Sequence, residues 1–394
     1  LLTALALAAV LLLLQEPLYL FNSGYLFSFA SVFAIGAVLP QFSSPKGMQG
    51  ITSGMVIFLV TFPIHLWFYF EYPFISMLLN LMIIPLMSVL LKSAVLLLFS
   101  ACLVPFIGEF LATLAAVPVH GILWLYHFLC RIGDSLSWFS EVVGRPAFFQ
   151  VILYYGILLS MWRLWEYRKD FTSGARFAWL CLAVMILTFQ PPEGWKIVFL
   201  DVGQGDGIYV ATEDGKHYLF DGGSASRSKI GKNVLVPFLK YEGVGELDCV
   251  FLSHPDEDHI SGVLEMLEGQ TELGIRVKAV ALPDIAEGAK GDSYRKLEQA
   301  AAVAGCRVLY LSSGMTLQNG ELTIRCVNPV KGAYIEEANE YSACFLLEQG
   351  PVQVLLTGDI TGDSEQQMWQ EIQPYLQEES RILIWKIAHH GSRF

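Results

Sequence analysis

Between residues 254 and 259 the chain reads His254-Pro255-Asp256-Glu257-Asp258-His259, an H-x-D-x-D-H pattern that directly follows the apolar run 249–252. Alternate residues of an extended segment point the same way, so His254, Asp256 and Asp258 can converge, and His259 turns in where a helix begins. Converging carboxylates with no Lys or Arg beside them repel one another unless a cation sits between them. A solvated acidic turn would not account for two histidines at this spacing. The chemistry expected is metal binding.

Two further segments share the construction of an apolar strand that delivers ligands at its end. The run 352–357 ends in Gly358-Asp359, where the glycine allows close backbone approach and Asp359 is a natural bridging carboxylate. The run 382–387 ends in His389-His390-Gly391-Ser392. Two glycine-rich turns complete the set. Asp201-Val202-Gly203-Gln204-Gly205-Asp206 could bring Gln204 or Asp206 near the metals. Asp221, in Phe220-Asp221-Gly222-Gly223, offers an acceptor for the outer N–H of a ligating histidine, and Asp201 is placed in the same supporting role. No G-x-G-x-x-G opens a helix here, so the dinucleotide-binding reading fails. Arg227, Lys229 and Lys232 follow the Asp221 turn and could collect phosphates.

The elements that must position these residues are short β-rich runs at 196–200, 207–211, 217–220, 248–252, 277–282, 307–311, 322–327, 343–347, 352–357 and 382–387. Helical patterns fall at 261–267, 293–304 and 364–375. Many strands with intermittent helices imply two sheets flanked by helices.

Composition divides the 394 residues in two. The whole is 54% hydrophobic and 16% charged, with a mean hydropathy of +0.48, too apolar for disorder or for one water-exposed domain. Residues 1–190 carry 8 Lys/Arg against 7 Asp/Glu, and residues 191–394 carry 17 against 30. A nearly neutral membrane domain (1–190) is therefore expected before an acidic globular one (191–394). Apolar runs at 1–14, 18–39, 51–70, 74–105, 106–129, 147–162 and 177–189 are the expected spans, against the ~20 residues that cross a bilayer core. Residues 135–143 have the pattern of an interfacial amphipathic helix. His65, Asn80, Lys92 and Glu109 are the polar residues that could line a pathway. Arg163, Arg168, Lys169 and Arg176 make the densest basic loop, which the positive-inside rule assigns to the cytoplasm. If 177–189 crosses, the acidic domain is extracytoplasmic. The seven cysteines form no CxxC pair, and neither a disulfide framework nor a zinc ribbon is expected. A chain opening on Leu1 inside an apolar run and closing at Phe394 reads as a piece of a longer one.

The order DVGQGD, FDGG, SHPDEDH, TGD, AHHGS resembles the metallo-β-lactamase-fold domain of the ComEC-type DNA internalisation proteins, and residues 24–32 resemble the membrane competence domain of that family. The likeness implies a polytopic α-helical membrane domain followed by an α/β αββα sandwich, in a multi-pass protein of the bacterial inner membrane. It also implies DNA as partner: one strand passes through a channel, a nuclease domain degrades the other, and further components of the uptake machinery take part. Mapped onto this chain, it implies two divalent ions, Mn2+ or Zn2+. His254 and Asp256 would hold one; Asp258, His259 and His390 would hold the other; Asp359 would bridge them. His389 becomes a phosphate contact or proton donor, and Asp258, Gln204 and Asp206 join it as catalytic candidates. Asn339, Ser342 and Ser392 join Arg227, Lys229 and Lys232 around the substrate. Asp256 stands where such folds usually place a second histidine, and no histidine lies between His259 and His389. The segment 339–342 resembles what the ComEC-type domains carry instead. Oxygen-rich ligation shifts preference from zinc toward manganese. Two other readings keep their place: a membrane-anchored metallohydrolase acting on another phosphodiester or ester of the cell envelope, and a permease with a non-catalytic globular domain.

Overall fold

The computed structural model describes residues 1–42, 48–72, 79, 86–87, 89–96, 98–99, 108–135, 141–167, 172–191, 194–335, 337–376 and 382–391. The chain divides into two compact units, Leu1–Gln190 and Pro191–Phe394. This is the expected helical region with apolar helices, followed by an α/β domain.

The helices described in the first unit are α1 (Leu2–Gln15), α2 (Ser23–Phe33), α3 (Gln49–Tyr69), α4 (Gly108–Ser135), α5 (Phe148–Tyr167) and α6 (Ser173–Thr188). Three helical stretches, Ser23–Gln41, Gln49–Tyr69 and Phe148–Tyr167, are long and apolar enough to cross a membrane. The expected run 18–39 is not one helix. Pro17–Phe21 is a separate 3-10 turn, and the Asn22 side chain caps α2 by accepting from Tyr25 N at 3.0 Å. The last expected span, 177–189, lies largely within α6, whose 16 residues are still short of the usual ~20. Most of 74–105 and of 135–143, with Asn80, Arg168 and Lys169, lies outside the described residues.

Apolar surroundings force every backbone polar group to find a partner. Pro63, inside α3, has no N–H to give to the Leu59 carbonyl four residues earlier. The hydroxyl of Tyr154 on α5 donates to that carbonyl at 2.8 Å. Gln150 treats the end of α6 similarly, its Nε2 donating to Ile186 O at 2.8 Å and Phe189 O at 2.7 Å. Phe62, Leu66, Tyr154, Ala183 and Leu187 close the packing between α3, α5 and α6.

The second unit holds β1 (Lys196–Phe199), β2 (Ile208–Ala211), β3 (His217–Phe220), β4 (Glu246–Leu247), β5 (Cys249–Phe251), β6 (Arg276–Val277), β7 (Ala279–Pro283), β8 (Arg307–Leu311), β9 (Thr316–Asn319), β10 (Leu322–Asn328), β11 (Cys344–Gln349), β12 (Val352–Leu356) and β13 (Ile382–Trp385). Its helices include α7 (Val236–Tyr241), α8 (Glu257–Glu268), α9 (Gln270–Leu273), α10 (Asp292–Val303) and α11 (Gly362–Ile372). One sheet runs β1-β2-β3-β5-β7-β8, the other β13-β12-β11-β10-β9, and β4 pairs with β6 apart from both. The expected run 277–282 is thus two strands that change partner at Lys278, which ion-pairs with Glu246 and Asp248. Strand β9, reading Thr-Leu-Gln-Asn, has too little apolar character to be found by pattern and exists through its pairing with β10.

Period-two alternation builds the sandwich. Tyr218, Phe220, Cys249 and Phe251 of one sheet meet Ile324, Phe345, Leu347 and Leu356 of the other. On the far side of the second sheet, Cys344, Leu346 and Leu355 pack on Met368 and Ile372 of α11. The Phe345 ring lies edge-on to Phe220 at 5.2 Å and to Phe251 at 5.4 Å, joining the sheets below the site. Phe345→Ala should cost the second unit about 3–5 kcal/mol of unfolding free energy, measured by denaturant titration.

Candidate metal centre

Parallel pairing decides which strand ends meet. Strand β3 runs parallel to β5, and β12 parallel to β13, so each pair sends its C-terminal ends to one edge. Asp221 follows β3, residues 253–259 follow β5, Asp359 follows β12 and His389-His390 follow β13. The sequence expectation of an extended 254–258 needs one correction. Helix α8 begins at Glu257, so His254 and Asp256 lie on extended backbone while Asp258 and His259 are carried by the first helical turn. Glu257 and Asp258 there also complement the helix dipole.

Glycines let these segments touch backbone to backbone. Gly205 has φ +153°, and a Cβ on it would lie 2.4 Å from the carbonyl oxygens of Asp258 and Gly223. Gly358 has φ +51°, and a Cβ there would lie 2.7 Å from the Ser253 Cβ. Asp206 N donates to Asp258 O at 3.2 Å, and His389 N to Gly358 O at 3.3 Å, stitching the turns together.

His259 is fully buried at the centre. Its Nδ1 lies 3.0 Å from Asp221 Oδ2, whose other oxygen accepts from Ser253 N at 2.8 Å. Asp221 thus sits against the ring of a histidine on the side away from Asp359. The opposite ring nitrogen, Nε2, is 3.3 Å from Asp359 Oδ2 and 4.0 Å from Asp258 Oδ2. His390 Nε2 is 3.4 Å from each of the same two oxygens. One ligand atom from each of Asp258, His259, Asp359 and His390 lies within 4.8 Å of the others, a spacing suited to a shared cation. His254 is buried beside them, its ring centroid 4.1 Å from that of His259 and its Nε2 3.5 Å from Asp256 Oδ2. The Nε2 atoms of His254 and His259 are buried without a hydrogen-bond partner among the described residues. Such orphaned nitrogens, aimed at carboxylates, fit a divalent metal.

The remaining candidates divide. Asp206 is buried and its Oδ1 is 3.6 Å from His390 Nδ1, so it belongs to the centre. Gln204 is exposed, held through its backbone N–H by Ser226 Oγ. Asp201 is exposed and its carboxylate pairs with Arg227 at 3.1 Å, so its partner is a guanidinium, not a histidine. Lys229 is exposed on the following loop and Lys232 is exposed on the helical turn Gly231–Leu235. Ser342 is buried with its Oγ unpartnered, a Cβ on Gly358 would stand 3.3 Å from its Cβ, and Asn339 O accepts from its N–H at 3.1 Å. His389 has a buried, unpartnered Nδ1. Ser392 lies outside the described residues.

Two contributors were not singled out by sequence. Ser253 Oγ lies 3.0 Å from His254 Nδ1 and 3.3 Å from His259 Nδ1. Lys386 forms an ion pair with Asp206 and reaches Asp359 Oδ1 at 3.4 Å. Its signal was a lone cation at the end of an otherwise apolar strand.

Burial alone would lower the His259 imidazole pKa, but the charge and hydrogen bond of Asp221, and then the nearby Asp359 carboxylate, push it up to about 10. Burial opposes ionisation of Asp221 and Asp359 as well, yet His259 holds both below the usual carboxylate range. Burial also raises Asp206, against the pull of Lys386. Asp256 is lowered chiefly by the His254 ring, whose Nε2 lies 3.5 Å from its Oδ2.

Fold and site together define a metallo-β-lactamase-type domain carried by a helical membrane region. Residues 1–168 match the family described as competence protein, and residues 200–323 match the metallo-beta-lactamase superfamily. The chain is 25% identical to "ComE operon protein 3" of Bacillus subtilis over 99% of its own length and 50% of that protein's. It is 25% identical to "Recombination protein 2" of Haemophilus influenzae over 54% of this chain and 24% of that one, and 29% identical to "Competence protein ComA" of Neisseria gonorrhoeae over 65% and 35%. The chain thus joins a competence-protein domain to a metallo-β-lactamase domain and is homologous to ComE operon protein 3 over nearly its full length. It spans half or less of the length of these relatives.

A pH dependence follows for chelator-treated protein. His259, raised from 6.5 to about 10, contributes stability that is complete below pH 6.5 and lost as pH rises toward 10. Asp221 and Asp359, both lowered, contribute stability that is complete above their ordinary 3.8 and lost on acidification. Thermal melts should peak between about pH 4 and 6.5 and fall on the alkaline side by a few kcal/mol, on the order expected for a buried, coupled pair. Asp221→Asn should erase most of that alkaline slope.

Proposed function

We propose that the chain is the channel-and-nuclease portion of a bacterial DNA-uptake protein. In this reading the helical half passes one strand inward and the acidic domain is a metal-dependent phosphodiesterase that degrades the other. The four-ligand group Asp258, His259, Asp359 and His390, in a chain that also carries a competence-protein domain, is the observation that supports it most.

Asp258, His259 and His390 would hold one divalent ion, His254 and Asp256 a second, and Asp359 would face both. When bound, such ions supply Lewis acidity toward a phosphodiester oxygen and toward water. The protein's own groups then have definite tasks. Asp221 fixes the tautomer of His259 by accepting its Nδ1–H, leaving Nε2 free to ligate. His389 would donate a proton to a leaving oxygen or contact phosphate, with Gln204, Asn339 and Ser342 as further substrate-facing candidates. Ser392 would join them. Arg227, Lys229 and Lys232 approach the outlying phosphates, although Arg227 is shared with Asp201. A domain with 17 basic and 30 acidic residues has little basic surface with which to grip a polyanion, so the ions must carry that work. Oxygen-rich ligation favours manganese over zinc.

The domain is read as extracytoplasmic in the bacterial inner membrane, with the loop of Arg163 and Arg176 inside and α6 crossing. Alkaline phosphatase fused after Gln190 should be active and a green fluorescent protein fusion at the same place dark; the reverse pattern would put the domain in the cytoplasm.

The nuclease reading is tested on the full chain in lipid nanodiscs with single-stranded DNA, duplex DNA and cell-envelope polymers as substrates. Chelation should abolish DNA cleavage and added Mn2+ restore it. Asp359→Ala should lower the rate by about 10²-fold or more together with bound metal. Cleavage of an envelope polymer and not DNA would favour the other phosphodiesterase or esterase reading. No cleavage and no bound metal would leave a permease with an inert domain.

A further inference from the structure

Lys386 emerges between the exposed residues Trp385 and Ile387, yet only 11% of its side chain is accessible. Its backbone is held on both sides. The N–H donates to Leu355 O at 3.0 Å, and the carbonyl accepts from Thr357 Oγ1 at 2.8 Å. From that rigid base the ammonium donates to Gly358 O at 2.8 Å, lies 3.4 Å from Asp359 Oδ1, and pairs with Asp206 Oδ2. These acceptors come from both sheets. Asp206 sits on the turn between β1 and β2, and Gly358-Asp359 on the turn after β12.

Each carboxylate is divided in the same way. Asp359 gives Oδ1 to Lys386 and turns Oδ2 toward His259 Nε2 at 3.3 Å and His390 Nε2 at 3.4 Å. Asp206 gives Oδ2 to Lys386 and turns Oδ1 toward His390 Nδ1 at 3.6 Å. An ammonium has three protons, and three acceptors surround this one, so none is left for a substrate phosphate. A buried lysine is tolerated only when its desolvation is offset by such complete pairing, and removing one partner strands the other charges.

We propose that Lys386 is a positioning residue. Its ammonium clamps Asp206 to Asp359 across the two sheets and leaves Asp359 with one oxygen to offer the metals. This rests on the metal-dependent reading above. It predicts that the ammonium and the metals share the neutralisation of the same carboxylates, so the site is assembled before metal arrives.

The test is Lys386→Met in the full chain in nanodiscs, chelator-treated, followed by thermal melts with and without Mn2+. The variant's metal-free Tm should fall by about 10 °C, the scale of a stranded buried charge. Added Mn2+ should raise Tm more in the variant than in the wild type, since the ion now replaces a missing charge. On DNA, kcat should drop by tenfold or more with KM little changed, because the ammonium does not reach substrate. A second variant, Lys386→Met with Asp206→Asn, restores charge balance and should recover part of the lost Tm. If wild type and Lys386→Met share the same metal-free Tm and the same Mn2+ response, the clamp is wrong although the metal reading stands. If the wild type itself shows no Mn2+ response, the metal reading is what has failed. Should the single variant not fold, a double variant that is no more stable overturns the coupling.

Discussion

The contact between His259 Nδ1 and Asp221 Oδ2, 3.0 Å long and fully buried, sets the terms for everything around it. An imidazole has two nitrogens, and only one can face a metal. By occupying Nδ1, Asp221 commits Nε2 to the cluster of Asp258, Asp359 and His390. The carboxylate is itself held by Ser253 N, so its position is part of the backbone and does not depend on a flexible side chain. Without metal the same contact favours the charged form of His259, which offsets repulsion among the carboxylates around it.

Such an arrangement requires four turns to approach more closely than side chains allow. Gly205 and Gly358 are the points where this is achieved, each with positive φ and each against another segment's backbone or Cβ. The aromatic contacts of Phe345 with Phe220 and Phe251 hold the two sheets in register beneath those turns. Core packing and site geometry are therefore one problem: a shift of one sheet over the other would part Asp359 from His259.

The membrane half meets a different demand with similar means. There the cost falls on unpaired backbone groups, and Tyr154 and Gln150 meet it by donating to carbonyls that Pro63 and the end of α6 leave free. Polar side chains in this half can thus serve the fold. In the acidic half they converge on one another, at a spacing suited to a shared cation. The split in charge between the halves follows from these two solvents.

Much was legible from pattern alone. An apolar helical first part, an α/β second part and nearly all of the larger strands follow from local periodicity and composition. What pattern could not supply depended on partners distant in the chain. Strand β9 exists because β10 pairs with it; Asp201 turned to Arg227; Asp258 moved onto a helix whose start lies earlier than its apolar face suggests. Lys386 is the clearest case. Its neighbours in sequence are apolar, and its acceptors lie 27, 28 and 180 positions away, on turns that meet only when β12 pairs with β13 and the sheets close. The sequence by itself determined which side chains can bind a metal, because that is a property of the residue. Tertiary structure alone decided which nitrogen or oxygen of each side chain faces the site, because that is set by where two sheets bring their ends.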